Sequence, residues 1–154
     1  MTRRAIFLDR DGVLIKSLKH KNKPVAIDKF EKIKILRTTK IFLDMIRKNF
    51  LLIMITNQPD VTRGKVSYPQ LNKMHNYLKK KIRYDSIYIN TSISKKDYYR
   101  KPNPGMLMKA IKKNMIDIIK TLYQYQEEFR WHLYKDGFLI KSFPITIIII
   151  RQFY

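Results

Sequence analysis

Apolar runs and stretches of helical period take turns along this chain, the arrangement expected of βαβ units around a parallel sheet. Ala5–Leu8 is a short apolar run that reads as a buried strand delivering Asp9 to its carboxyl end. Residues 51–55 read as a second buried strand, ending at Thr56-Asn57-Gln58. Residues 86–89 read as a third, with Ile87 and Ile89 on one face. Phe42, Met45 and Ile46 have the spacing of an amphipathic helix between the first two. Ser67-Tyr68-Pro69-Gln70 has the form of a capping box with proline in the first turn. The helix it opens places Leu71, Met74, Leu78 and Ile82 on one core face. Farther on, Asn103 is the expected N-cap and Pro104 the first helical residue of a helix buried through Met106, Leu107, Ala110 and Ile111. Residues 15–34 are basic, contain Pro24, and read as a loop or small insertion over the strand ends. No repeat and no separating linker interrupts the chain, but from Leu122 onward the alternation is lost.

Composition narrows the class. A chain of 154 residues suits one domain with a real core, and 45% hydrophobic and 12% aromatic content argue for a globular protein rather than a disordered one. The absence of cysteine removes disulfides and thiolate metal sites and favours a cytoplasmic protein. The apolar run after Met1-Thr2-Arg3-Arg4 is too short for a signal peptide, and residues 145–150 are too few for a membrane span, so no membrane partner is expected. The formal net charge of +21 points to an anionic partner. The lysines are scattered among many Ile, Asn and Tyr, as an AT-rich coding bias would leave them. Runs such as Lys79-Lys80-Lys81 and Lys95-Lys96 read as solvated faces. Charge alone leaves open whether the anion is a small phosphate ester or a nucleic acid.

The chemistry-bearing residues follow predicted elements at one edge of the sheet: Asp9 and Asp11, then Thr56-Asn57-Gln58, then Arg100-Lys101. Ligands of open α/β sheets bind at that edge. A carboxylate there can attack phosphorus while a second one carries the proton. The Thr56 hydroxyl and the Lys101 ammonium supply what non-bridging phosphoryl oxygens need.

Four stretches carry a resemblance: Phe7-Leu8-Asp9-Arg10-Asp11-Gly12-Val13-Leu14, Ile55-Thr56-Asn57-Gln58, Thr62-Arg63-Gly64, and Arg100-Lys101-Pro102-Asn103-Pro104-Gly105-Met106-Leu107. They resemble the haloacid-dehalogenase superfamily phosphatases, in particular the branch of histidinol-phosphate and D,D-heptose 1,7-bisphosphate phosphatases. The resemblance implies a Rossmann-like parallel sheet with helices on both faces and Mg²⁺-dependent hydrolysis of a phosphomonoester through an aspartyl-phosphate. It implies Asp9 as nucleophile and metal ligand, and Asp11 as general acid/base with its backbone carbonyl on the metal. Thr56 and Lys101 would hold the phosphoryl group, with Arg10, Asn57, Gln58, Arg63 and Arg100 at the substrate. A small phosphorylated substrate and a monomeric enzyme are expected. A nucleic-acid 3′-phosphatase, or a catalytically impaired basic binding protein on the same fold, are the alternatives.

Two departures stand out. Heptose phosphatases of this type carry a cysteine- and histidine-rich zinc loop before the Arg-Lys motif. Residues 90–99 contain neither residue type, so no zinc is expected. The family's later Gly-Asp motif, which completes the Mg²⁺ shell, is also missing: the stretch after Thr121 reads Leu122-Tyr123-Gln124-Tyr125-Gln126. The expected organisation is therefore a phosphatase domain over residues 1–121 and an atypical tail over 122–154. A frameshift or truncated gene is the favoured cause, with substitution by Glu127, Glu128 or Asp136 as the alternative. The last core strand would then be missing, and residues 147–150 would be an aggregation hazard. The isolated His20, His75 and His132 receive no role; His75, inside the second helix, reads as structural or surface. Translation of the gene's other frames beyond codon 121 should recover a Gly-Asp continuation; its absence from every frame would count against a recent frameshift.

Overall fold

Two apolar runs that are buried on both faces organise the sheet. In the computed structural model, which describes residues 4–20, 23–25, 27, 29–116, 138–142 and 147–152, strand β1 (Ala5–Leu8) pairs in parallel with β4 (Leu51–Asn57). Strand β5 (Ser86–Asn90) adds in parallel to the far side of β4. On the other side of β1 lies β7 (Ile147–Gln152), parallel to it, followed by the antiparallel β6 (Phe138–Ser142). The strand order is β5-β4-β1-β7-β6. Residues 147–150 are thus part of a strand of the central sheet beside β1, which corrects the expectation of a missing last strand. A continuous apolar run fits the interior of a parallel sheet, and pairing it with β1 removes an exposed edge. Glu127, Glu128 and Asp136 lie outside the described residues.

Strand alternation divides the core into two layers. Ile6, Leu8, Leu52 and Met54 point to one face, where they meet Leu43 of α1 (Arg37–Ile46) and Leu78 and Ile82 of α2 (Tyr68–Ile82). Ala5, Phe7, Ile53 and Ile55 point to the other, against Met106, Ala110 and Ile111 of α3 (Gly105–Lys113). Helices therefore cover both faces, as expected of an α/β Rossmann-like fold. Within α1, Leu43 is the buried residue while Met45 is 72% exposed, so the stripe turns slightly from the one expected. In β5 it is Tyr88 that packs on the α3 side, and Ile89 faces outward. Within the stretch expected as a loop or insertion lie two short antiparallel strands, β2 (Leu18–His20) and β3 (Lys23–Val25), and a 3₁₀ turn at Phe30–Lys32, with Ile15 and Ile27 buried in the first of these layers.

The ends of the elements are where the sequence signals bear on the site. Ser67 caps α2 through its side chain, accepting from the Gln70 N–H, while the Gln70 side chain accepts from the Ser67 N–H. The cap of α3 is Pro104, one residue later than expected. Asn103 instead spends its amide on the Lys95 and Asp97 carbonyls, 3.2 and 2.8 Å away, and so closes the loop that carries Arg100 and Lys101. Gly105 completes that closure. A Cβ there would sit 2.5 Å from the Tyr98 carbonyl oxygen, a backbone atom that cannot swing aside. Gly105→Ala should therefore lower unfolding stability by about 1–3 kcal/mol, the usual cost of overpacking, in a urea titration. An unchanged midpoint would show that this close approach is not required.

Candidate active site

Register brings the chemistry together. Leu8 pairs with Met54, so Asp9, one residue on, comes level with Ile55 near the end of β4. The Lys101 ammonium fills the position between them. Its Nζ lies 2.7 Å from Asp9 Oδ2 and donates to the Ile55 carbonyl at 3.0 Å. The lysine backbone is fixed by Asn57 in a reciprocal pair: Lys101 N–H donates to Asn57 Oδ1, and Asn57 Nδ2 donates to the Lys101 carbonyl, each at 3.0 Å. Asp9 also accepts from the Arg10 N–H through Oδ1 at 2.8 Å.

Asp11 stands in a turn that requires Gly12, whose φ of 83° is in the left-handed region. The Leu14 and Ile15 N–H groups donate back to the Arg10 carbonyl there. Arg10 grips the Asp11 carboxylate as a fork, Nη2 to Oδ1 at 3.0 Å and Nε to Oδ2 at 3.1 Å. Gln58 Nε2 donates to the same Oδ2 at 3.0 Å and to Thr56 Oγ1 at 2.8 Å. Asp9, Asp11, Thr56 and Lys101 thus gather at the carboxyl end of the sheet, joined through Gln58 and Asn57.

The residues expected at the substrate all have partners within the protein. Arg10 is 1% exposed, and its Nε and Nη2 make a bidentate hold on the carboxylate of its neighbour Asp11. Gln58 is buried between Asp11 and Thr56. Asn57 is spent on the Lys101 backbone. Arg100 Nη1 donates to the Ser92 carbonyl at 2.5 Å, and Arg63 pairs with Asp60 at the surface, 3.0 Å apart. Sequence reasoning passed over His75. It is 4% exposed on α2, with Nε2 3.5 Å from Arg10 Nη1. A polar residue set into the Leu71, Met74, Leu78 and Ile82 stripe was the available signal.

The sequence profile of the family described as polynucleotide kinase 3 phosphatase matches residues 4–128. The chain is 32% identical over 132 residues to a D-glycero-alpha-D-manno-heptose-1,7-bisphosphate 7-phosphatase from Photorhabdus laumondii, covering 75% of this chain and 68% of the relative. Over 127 residues it is 32% identical to a D-glycero-beta-D-manno-heptose-1,7-bisphosphate 7-phosphatase from Pasteurella multocida, covering 75% of this chain and 66% of the relative. Among solved structures, the D,D-heptose 1.7-bisphosphate phosphatase from B. bronchiseptica, complexed with magnesium and phosphate, aligns with a TM-score of 0.62 at 21% identity. That alignment covers 74% of this chain and 65% of the other. The chain thus spans roughly two thirds of the length of these proteins.

Burial shapes the electrostatics behind the strand ends. Desolvation, then the Arg10 guanidinium, hold the His75 imidazole down to about 4 against an ordinary 6.5, with Asp11 opposing weakly. Burial likewise pushes Tyr84 up to about 12; its hydroxyl donates to the His75 carbonyl at 2.9 Å. Because the unfolded chain binds a proton at His75 near pH 6.5 and the folded chain only near 4, this group's contribution is complete above pH 6.5 and lost as pH falls toward 4. Chemical denaturation at pH 7 and at pH 4.5 should differ by up to about 3 kcal/mol on this account. His75→Met should remove that part of the difference; an undiminished difference in the variant would place its origin elsewhere.

Proposed function

The chain belongs to the polynucleotide kinase 3 phosphatase family of haloacid-dehalogenase-type phosphatases, and from that membership we propose that it hydrolyses a phosphomonoester of a small sugar phosphate, of the heptose 1,7-bisphosphate type. The observation that carries this reading is the ammonium of Lys101 held 2.7 Å from Asp9, with Asp11 two positions on at the same strand end. A nucleophile, a proton carrier and a fixed cation are the minimum that phosphoryl transfer requires.

In this reading Asp9 attacks phosphorus, forming an O–P bond to its carboxylate as the bond from phosphorus to the ester oxygen breaks. Asp11 gives its proton to the departing oxygen. It then takes a proton from water, which attacks the aspartyl-phosphate, releases inorganic phosphate and restores Asp9. Lys101 and the Thr56 hydroxyl hold the non-bridging oxygens, and Gln58 and Asn57 keep those two groups aimed.

The donor set suits Mg²⁺, which is commonly held by one or two carboxylates with phosphate oxygens and water completing its shell. Asp9 and the Asp11 carbonyl would hold it. When bound, the ion offsets the repulsion between the Asp9 carboxylate and the phosphate dianion. Among the described residues no cluster of three or more acidic or histidine side chains is present, so a further acidic ligand would have to come from outside them.

A second reading keeps the chemistry and changes the substrate to the 3′-phosphate of a nucleic acid, for which the net charge of +21 speaks. Phosphate release should be measured from heptose 1,7-bisphosphate, histidinol phosphate, p-nitrophenyl phosphate and a 3′-phosphorylated oligonucleotide, with Mg²⁺ and with EDTA. The expected result is Mg²⁺-dependent release that is fastest on the sugar phosphate and abolished by Asp9→Asn. Lys101→Met should cost about 10²–10³-fold in kcat. Preference for the oligonucleotide with steep loss in added salt would move the assignment to nucleic-acid ends, and no Mg²⁺-dependent release from any substrate would sink the phosphatase reading.

A further inference from the structure

Arg10 poses a physical question that the proposed chemistry does not answer. It is a guanidinium 1% exposed to solvent and adjacent in sequence to Asp9, the nucleophile of the proposed reaction. A buried cation survives only when its donors are met. Nε and Nη2 are met by the two oxygens of Asp11. Nη1 faces His75 Nε2 at 3.5 Å.

We propose that His75 is a positioning residue for the reaction: it orients the Arg10 guanidinium from behind, and Arg10 in turn fixes the orientation of the Asp11 carboxyl group, which in its protonated form gives the proton to the leaving group. The assignment rests on the reading of Asp11 given above. Three further observations support it. Arginine only donates, so the His75 nitrogen facing it has to be the unprotonated acceptor, which leaves the ring proton on Nδ1. Among the described residues Nδ1 has no hydrogen-bond partner, so the contact with Arg10 is the polar interaction that the buried ring makes. The backbone of His75 is itself anchored, its carbonyl accepting from the Tyr84 hydroxyl. Nε and Nη2 grip Asp11 on one side of the fork, and the His75 ring limits its rotation from the other. Gln58, donating to Asp11 Oδ2 at 3.0 Å, sets the remaining direction. Helix α2 thereby reaches the reacting groups through one side chain.

The test uses leaving groups of different basicity. An alkyl phosphate such as heptose 1,7-bisphosphate needs a proton on the departing oxygen, whereas p-nitrophenolate leaves without one. The ratio kcat/KM reports the step in which that group departs. His75→Met should lower kcat/KM on the alkyl phosphate by roughly 10–100-fold, part of what a general acid contributes, and on p-nitrophenyl phosphate by less than about 3-fold. His75→Gln, whose amide oxygen can accept from Arg10, should recover most of the alkyl-phosphate activity. Equal losses on both substrates, or a glutamine variant no better than methionine, would reduce His75 to a packing residue. A second measurement needs neither turnover nor a stable variant. The ¹⁵N shifts of His75 in the wild-type chain should show a neutral ring protonated at Nδ1 at pH 7, and protonation at Nε2 would overturn the assignment. A wild-type chain active on none of the substrates would fail the phosphatase reading, while the tautomer would still decide whether His75 holds Arg10.

Discussion

Two carboxylates two positions apart at the end of a buried strand repel each other, and everything else in this structure is arranged around giving each its own cation. Asp9 receives Lys101 from a loop 92 positions later in the chain, and Asp11 receives Arg10 from the residue beside it. Both pairs are partly shielded from water, where Coulomb attraction is stronger than at an open surface. Removing either cation would leave a half-buried carboxylate uncompensated, a change that costs up to about 3–5 kcal/mol in fully buried cases.

The two pairs are built by different means. The Asp9–Lys101 pair depends on tertiary structure: the β1–β4 register, the reciprocal bonds between Asn57 and Lys101, and the loop closed by Asn103 and Gly105. The Asp11–Arg10 pair is local, made by the turn at Gly12, but it is buried by the helix that carries His75. In the first pair the cation comes from a distant loop and also meets the Ile55 carbonyl; in the second it is almost fully buried and also faces His75.

Several polar residues expected at the substrate also hold other groups in place. Gln58 joins Asp11 to Thr56, Asn57 holds Lys101, and Arg100 ties its loop to Ser92. Each is a buried or half-buried group whose hydrogen bonds are more valuable to the fold than to a solvated ligand. The site is therefore stiff before anything binds, and preorganised donors of this kind are what stabilise developing charge.

The continuous apolar runs of β1 and β4, the capping box of α2 and the paired aspartates were legible in the sequence, because each depends on near neighbours in the chain. Met45 and Asn103 were misjudged because helical rotation and a one-residue shift of a cap are settled by what packs against them. The run at 147–150 was discounted for the same reason: a strand far along the chain is recognisable only once β1 offers it an edge to pair with. By itself the sequence determined which residues carry charge, hydroxyl or apolar bulk, and in what local order. Only the tertiary structure decided that Arg10 faces inward to His75, that Lys101 meets Asp9, and that Asn57 serves the lysine. Those are contacts between distant segments, set by burial and register rather than by any spacing along the chain.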